Sequence, residues 1–188
     1  MKQAIAVRFL PSRLFIYYDE RAIEGTINSD SGAMIRDGIK SVAKQGACPE
    51  KLWPYVISRF KRKPPAAAAR EALKHQALSY LRISQNLAQM KGCLASGFPF
   101  VFGFTVYESF ESRAVAKSGV VPMPASDEGV VGGHAVLATG YDDAKQRFIV
   151  MNSWGTGWGM KGYFTIPYAY LTDADLSADF WTIRLVEV

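Results

Sequence analysis

Only two cysteines, Cys48 and Cys93, and only two histidines, His75 and His134, occur among the 188 residues. Two cysteines are too few for a disulfide framework. One bridge remains open, and two buried free thiols are favoured, because unpaired cysteine behaves as a small hydrophobe. Long apolar runs are missing too. No stretch approaches the ~20 residues that a membrane-spanning helix needs. The opening residues, M-K-Q-A-I-A-V-R-F-L-P-S-R, carry a charge at Arg8 and no small-residue cleavage site, so they make a poor signal peptide. With no address in view, the chain as given is expected to be cytoplasmic. Charge is sparse at 21% of residues, and its one dense basic run, Arg59-Phe60-Lys61-Arg62-Lys63, stands just before Pro64-Pro65. A solvated loop accounts for that run better than a nucleic-acid or anionic-membrane contact does. Neither nucleic acid nor membrane is therefore expected as a partner.

What is present is apolar and aromatic. About half the residues are hydrophobic and 13% are aromatic, enough to bury a core in one large domain or two small lobes. The first half reads as helical. Ser12 is placed to cap a helix through Leu14, Phe15, Tyr18 and Ala22, and Met34, Ile35, Ile39 and Val42 mark a second that Gly46 ends. Pro64-Pro65 opens an alanine-rich helical turn, and Leu87, Met90 and Leu94 mark a helix stopped by Gly97. From there the period changes. Phe98, Phe100, Phe102, Phe104 and Val106 alternate as in a strand, and 134–141, 147–152, 162–166 and 180–186 read as further strands. Helices first and short antiparallel strands after them predict an α+β fold with two segregated parts.

The chemistry points to His134. It follows two glycines, leads an apolar run, and precedes Asn152 by eighteen positions. A neutral imidazole takes a proton from a thiol or hydroxyl when a side-chain carbonyl holds the ring in orientation. Two strands joined by a hairpin turn at Tyr141–Lys145 would let His134 and Asn152 face each other. Trp154 is then placed to cover the pair from water, which strengthens their hydrogen bond. Gly155, Gly157 and Gly159 let the backbone turn tightly behind the rings. A core histidine is the ordinary alternative for His134 alone, and Asn152 and Trp154 in register weigh against it. His75 has no such company and reads as a surface or helix-end residue.

G-G-H-A-V-L-A-T-G-Y together with N-S-W-G-T-G-W-G resembles the C-terminal half of papain-family cysteine peptidases. The resemblance implies His134 as general base, Asn152 as its orienter and Trp154 as the shield, with no metal and no cofactor. D-S-G-A-M-I-R-D-G-I-K, residues 30 to 40, is similar to the Gly-rich edge of the substrate cleft and the helix behind it. By that match Ser31, Gly32 and Met34 would bind substrate, Gly32 through backbone hydrogen bonds and Met34 in an apolar pocket; Gly133, in the G-G-H stretch, is the further substrate-binding residue that the family resemblance implies. L-W-P-Y, residues 52 to 55, resembles the family's Y-P-Y loop. The implied architecture is a two-lobe papain-like fold, a helical lobe plus an antiparallel β-barrel-like lobe. Residues 1–80 would be the remainder of the first, and 81–188 the second, carrying His134 and Asn152.

The nucleophile is the difficulty. The family's thiol stands about 130–150 residues before its His and Asn, which falls near residue 4 or before the chain begins. Q-G-A-C, residues 45 to 48, echoes the Gln and Cys of the family's motif, but Pro49 biases Cys48 away from the helix start that would lower a thiol pKa. Only 86 residues separate Cys48 from His134, and Cys93 lies on an apolar helix face. The expectation is a peptidase chain without its Cys-bearing helix, inactive alone, with peptide or protein as substrate. The alternative is a pseudoenzyme that binds extended peptides or a protein partner. Apolar surface uncovered by the missing helix would then be covered by self-association or by a second chain. A late gene start, a piece of a longer chain and a separate chain carrying the segment all stay open.

Overall fold

Helix α1, Arg13–Glu24, starts where Ser12 accepts the Phe15 N–H at 3.1 Å and ends at Gly25 in the left-handed region. The computed structural model to which it belongs describes residues 9–186. Such a side-chain cap contributes about 1 kcal/mol, and Ser12 also donates to the Trp53 carbonyl at 2.6 Å, tying the helix start to the 52–55 loop. Helix α2, Ile35–Gln45, ends at Gly46. There a side chain is excluded twice over: φ is +76°, and an added Cβ would stand 1.8 Å from the Ala72 carbonyl oxygen. Helix α3, Ala66–Ala72, follows Pro65.

Strand β1, Ala77–Arg82, falls where the sequence shows no alternation, since Leu78 and Leu81 are both exposed. Helix α4, Leu87–Ala95, is capped by the Asn86 side chain. Strand β2, Phe100–Tyr107, buries Phe100, Phe102, Phe104 and Val106 on one face, the period of two expected of it. Helix α5, Arg113–Ser118, then leads to strand β3, Val130–Asp142. Strand β4, Arg147–Met151, strand β5, Tyr163–Pro167, helix α6, Tyr168–Thr172, and strand β6, Ser177–Val186, complete the described chain. The strands hydrogen-bond in the order β1-β6-β2-β3-β4-β5, and the pairings of β2 with β3 and β6, β3 with β4, and β4 with β5 are antiparallel. The fold is α+β.

The chain divides into two compact units, one running to Leu81 and resuming at Ile183, the other Arg82–Thr182. The second is built on phenylalanine. Phe100, Phe102, Phe104, Phe148, Phe164 and Phe180 pack with Val136, Val150 and Ile166 in one cluster. The Phe102 and Phe180 rings stack at 5.7 Å, and the Phe100 and Phe148 rings meet edge to face at 6.1 Å. β3 starts at Val130, earlier than the sequence suggests, because its opening V-V-G-G has no alternating pattern and is held by main-chain pairing with β2.

The first unit has a smaller core of Leu14, Phe15, Cys48, Trp53, Ala68 and Ala72. It also carries carboxyls out of water. Burial raises Asp19 to about 6, partly opposed by Lys63, and raises Glu20 to about 7, aided by repulsion from Glu24 and Asp37. A folded pKa above the unfolded value of roughly 4 means that the folded state binds more protons between the two. Both groups are therefore tolerated at no cost below about pH 4 and oppose folding increasingly as pH rises through 6 to 7. Urea midpoints of the wild type and Glu20→Gln at pH 5 and pH 8 check this. The variant should gain stability relative to wild type at the higher pH, and an equal difference at both would refute the assignment.

Candidate active site

His134 lies in β3 directly opposite Phe104 of β2. Asn152 follows β4 immediately, just beyond the last β3–β4 pair, Leu137 with Met151. Past that pair the two chains no longer share backbone bonds, and the Asn152 N–H turns to the Gly162 carbonyl at 2.9 Å. The space between them is closed by side chains instead: His134 Nε2 and Asn152 Oδ1 are 2.9 Å apart. The same amide oxygen accepts the Ser153 N–H at 2.8 Å. An oxygen in that role only accepts, so the ring nitrogen facing it carries the proton. A neutral ring in that tautomer presents its lone pair at Nδ1.

Aromatic rings surround this hydrogen bond. Trp154 stacks on the imidazole with centroids 5.1 Å apart and planes 24° apart. Phe104 approaches it edge-on at 5.9 Å, and Phe110 stands 6.3 Å away. Asn152 is only 8% exposed, so the bond sits in a low-dielectric setting that strengthens it. The turn after Trp154 needs two of its glycines for their conformation, Gly155 at φ +84° and Gly159 at φ +56°. At Gly159 a Cβ would also stand 2.4 Å from the Tyr163 carbonyl oxygen. Gly157 has an ordinary φ and open space around it, so the tight turn does not require that one.

The thiols are elsewhere in the packing. Cys48 is 0% exposed in the core of the first unit, where burial pushes its thiol up to about 11 despite a hydrogen bond with Ser12. That is the reverse of an activated nucleophile. Cys93 lies in the phenylalanine cluster of the second unit, and its Sγ donates to the Phe98 carbonyl at 3.3 Å. Neither forms a disulfide. His75 follows α3, with Nε2 3.7 Å from Glu71.

In the first unit, Ser31 and Gly32 are exposed, Gly32 at φ +79°, and Met34 is 56% exposed at the start of α2. Their loop is tied down by residues that the sequence did not single out. Tyr17 donates to Asp30 at 2.6 Å and accepts the Gly32 N–H at 3.2 Å, while Glu24 accepts the Met34 N–H at 2.7 Å. Arg21, 0% exposed, gives its guanidinium to the carbonyls of Tyr17, Ile27, Ser29 and Phe60 and lies over the Tyr17 ring at 3.9 Å. A lone Arg in an amphipathic helix announces none of this. Gly133, in the second unit, is exposed on β3 and paired with Thr105. Of the basic run, Arg59 lies over Trp53 at 5.8 Å, and Lys61, Arg62 and Lys63 are exposed. Among the described residues no cluster of His, Cys, Asp and Glu could hold a metal, and no helix is long and apolar enough to cross a membrane.

Comparison with known proteins bears on this geometry. A protein of Acanthamoeba polyphaga mimivirus described as an uncharacterized peptidase C1-like protein is 47% identical over 194 residues, covering 99% of this chain and 62% of its own length. A cathepsin B-like protein of Giardia intestinalis is 32% identical over 173 residues, covering 82% of this chain and 56% of its own. This chain thus spans less than two thirds of either relative. The crystal structure of xylellain, a cysteine protease from Xylella fastidiosa, superposes with a TM-score of 0.88 at 45% identity, covering 94% of this chain and 70% of that one. The family model for the papain family cysteine proteases matches residues 24–177. The chain therefore belongs to the papain family of cysteine peptidases.

Proposed function

We propose that this chain supplies the general base and its orienting amide to a peptidase that cleaves peptide bonds through a thiolate. One observation carries the reading. Asn152 occupies the Nε2–H of His134, which leaves Nδ1 to take a thiol proton. The thiolate would attack the peptide carbonyl carbon, and the imidazolium would return its proton to the departing amine. Water, deprotonated by the same ring, would then hydrolyse the thioester and regenerate the thiol. No metal or cofactor enters these steps.

Cys48 and Cys93 are both packed in cores, so neither is assigned as the nucleophile. The reading places the thiol outside these 188 residues and makes this chain silent alone. Residues 130–133 of β3 lie beyond the His134–Asn152 contact and have no β4 partner in the described pairing, which leaves that end of the strand able to pair with an extended peptide. The resemblance assigns Ser31, Gly32, Met34 and Gly133 to peptide contacts as well, and for Gly32 the N–H must first leave Tyr17. The open strand edge also favours a second reading, peptide binding without turnover.

A fluorogenic peptide assay combined with a thiol-reactive probe tests these readings. The 188-residue chain should fold, turn over nothing and leave both cysteines unlabelled. Joining a papain-family Cys-bearing segment to it should produce turnover. Turnover by the chain alone with labelling at Cys48 would overturn the assignment, and a joined chain that binds peptide but stays silent would favour the binding module.

A further inference from the structure

Residues 54–58, P-Y-V-I-S, are exposed one after another, and Ile57 keeps 61% of its surface in solvent. In a stretch lying flat against the protein, some of these successive side chains would be covered, so this one projects from the first unit. Tyr55 and Val56 are exposed beside Ile57. Single exposed apolar residues are ordinary, but an adjoining set on a projection marks a contact with something else.

The projection is held in one shape. The Val56 N–H reaches the Pro54 carbonyl at 2.8 Å, and the Arg59 N–H reaches that of Val56 at 2.8 Å. The Phe60 N–H follows to Ile57 at 3.0 Å, and the Arg62 N–H to Arg59 at 2.8 Å. Both ends are tied to α1 and its cap, by Ser12 at the Trp53 carbonyl and by Arg21 at the Phe60 carbonyl, each at 2.6 Å. Glu50 accepts the Tyr55 N–H at 2.7 Å. Little backbone freedom is left to lose when the loop docks.

Its charges have one sign. The 3-10 turn Ile57–Arg59 runs on through Phe60 in the helical region, so Ile57 and Lys61 are neighbours one turn apart. Lys61, Arg62 and Lys63 are exposed, and no acidic residue occurs from 51 to 70. Among the described residues no carboxylate forms an ion pair with Lys61 or Arg62. Lys63 acts on buried Asp19 only at longer range. The sequence alone makes these cations a solvated loop, and the structure adds apolar side chains one turn away. Cations beside projecting apolar groups match a surface that is negative outside and apolar just beneath, as an anionic lipid leaflet is. A nucleic acid would use the charges and leave Ile57 without a partner. A specific protein partner needs roughly 1,000 Å² of complementary surface, more than one such loop presents.

We propose that the 54–63 loop docks this chain on an anionic lipid surface, with Val56 and Ile57 inserted among the headgroups and Lys61, Arg62 and Lys63 against the phosphates. No turnover is involved, so the proposal stands or falls apart from the assignment of His134.

Flotation of the 188-residue chain with phosphatidylcholine vesicles, with and without about 30% phosphatidylserine, measures the partition. The chain should float with the anionic vesicles and stay behind with the neutral ones. Lys61→Ala and Arg62→Ala should each weaken partition about fivefold, and added salt should weaken it further. Ile57→Ser should weaken it about tenfold with no change of charge. These side chains are exposed, so thermal midpoints should match wild type, and Val56→Ser repeats the apolar test at a second position. Equal partition to both kinds of vesicle, or none to either, would overturn the proposal. So would a salt-dependent partition that ignores both serine variants, which would leave a general polyanion contact. Binding of an RNA oligomer or an acidic peptide in place of vesicles, weakened by the same variants, would give the surface to that partner instead.

Discussion

If the proposed reading holds, alanine at position 134, in a chain joined to a papain-family Cys-bearing segment, should lower kcat/KM by about 10⁴-fold, with KM little changed. The loss removes the group proposed to take the thiol proton and later deliver one to the leaving amine, and no other described side chain hydrogen-bonds Asn152 Oδ1 to replace it. Asn152→Ala should cost less, because the ring can still accept a proton but no longer has a fixed tautomer or orientation. The double variant should be no worse than His134→Ala alone, since the two groups act as a unit. Stopped assays on the three variants decide it. An added loss from Asn152→Ala in the His134→Ala background would show that the amide acts by some other route.

The second large effect is on stability. Arg21→Met should destabilise the protein by about 3 kcal/mol, because the carbonyls of Ile27, Ser29 and Phe60 lose their shared donor inside the first unit. Methionine fills much of the volume, so the loss reports hydrogen bonding more than a cavity. Arg21→Lys should rescue little. A compact ammonium cannot reach acceptors spread around a planar fork, nor lie flat between the Tyr17 and Phe60 rings. Urea unfolding measures both variants. A loss for Arg21→Met under about 0.5 kcal/mol, the range of ordinary surface changes, would mean that the carbonyls find water instead.

Several elements were legible because their signals are local. Ser12 caps α1 through Phe15, three residues on, and Gly46 ends α2 by a conformation and a close approach that only glycine tolerates. The alternating phenylalanines of β2 follow from the pleat. Other elements were hidden for equally physical reasons. β1 exposes its leucines, and the start of β3 is two valines and two glycines, so neither writes a period of two into the sequence. Both exist because a neighbouring strand supplies the hydrogen bonds.

At the site the division is similar. The spacing of His134, Asn152 and Trp154, with glycines where the chain must turn, was determined by the sequence itself, because a hairpin of given length brings such positions together. Which imidazole nitrogen carries the proton was decided only by tertiary structure, through the 2.9 Å contact with an oxygen that also accepts Ser153. So were the burial of Cys48 and the four carbonyls gathered by Arg21. Each of these depends on partners far along the chain, as Phe60 is from Arg21. Contacts at that range leave no periodicity in a sequence; they arise when packed layers bring the partners within a few ångströms.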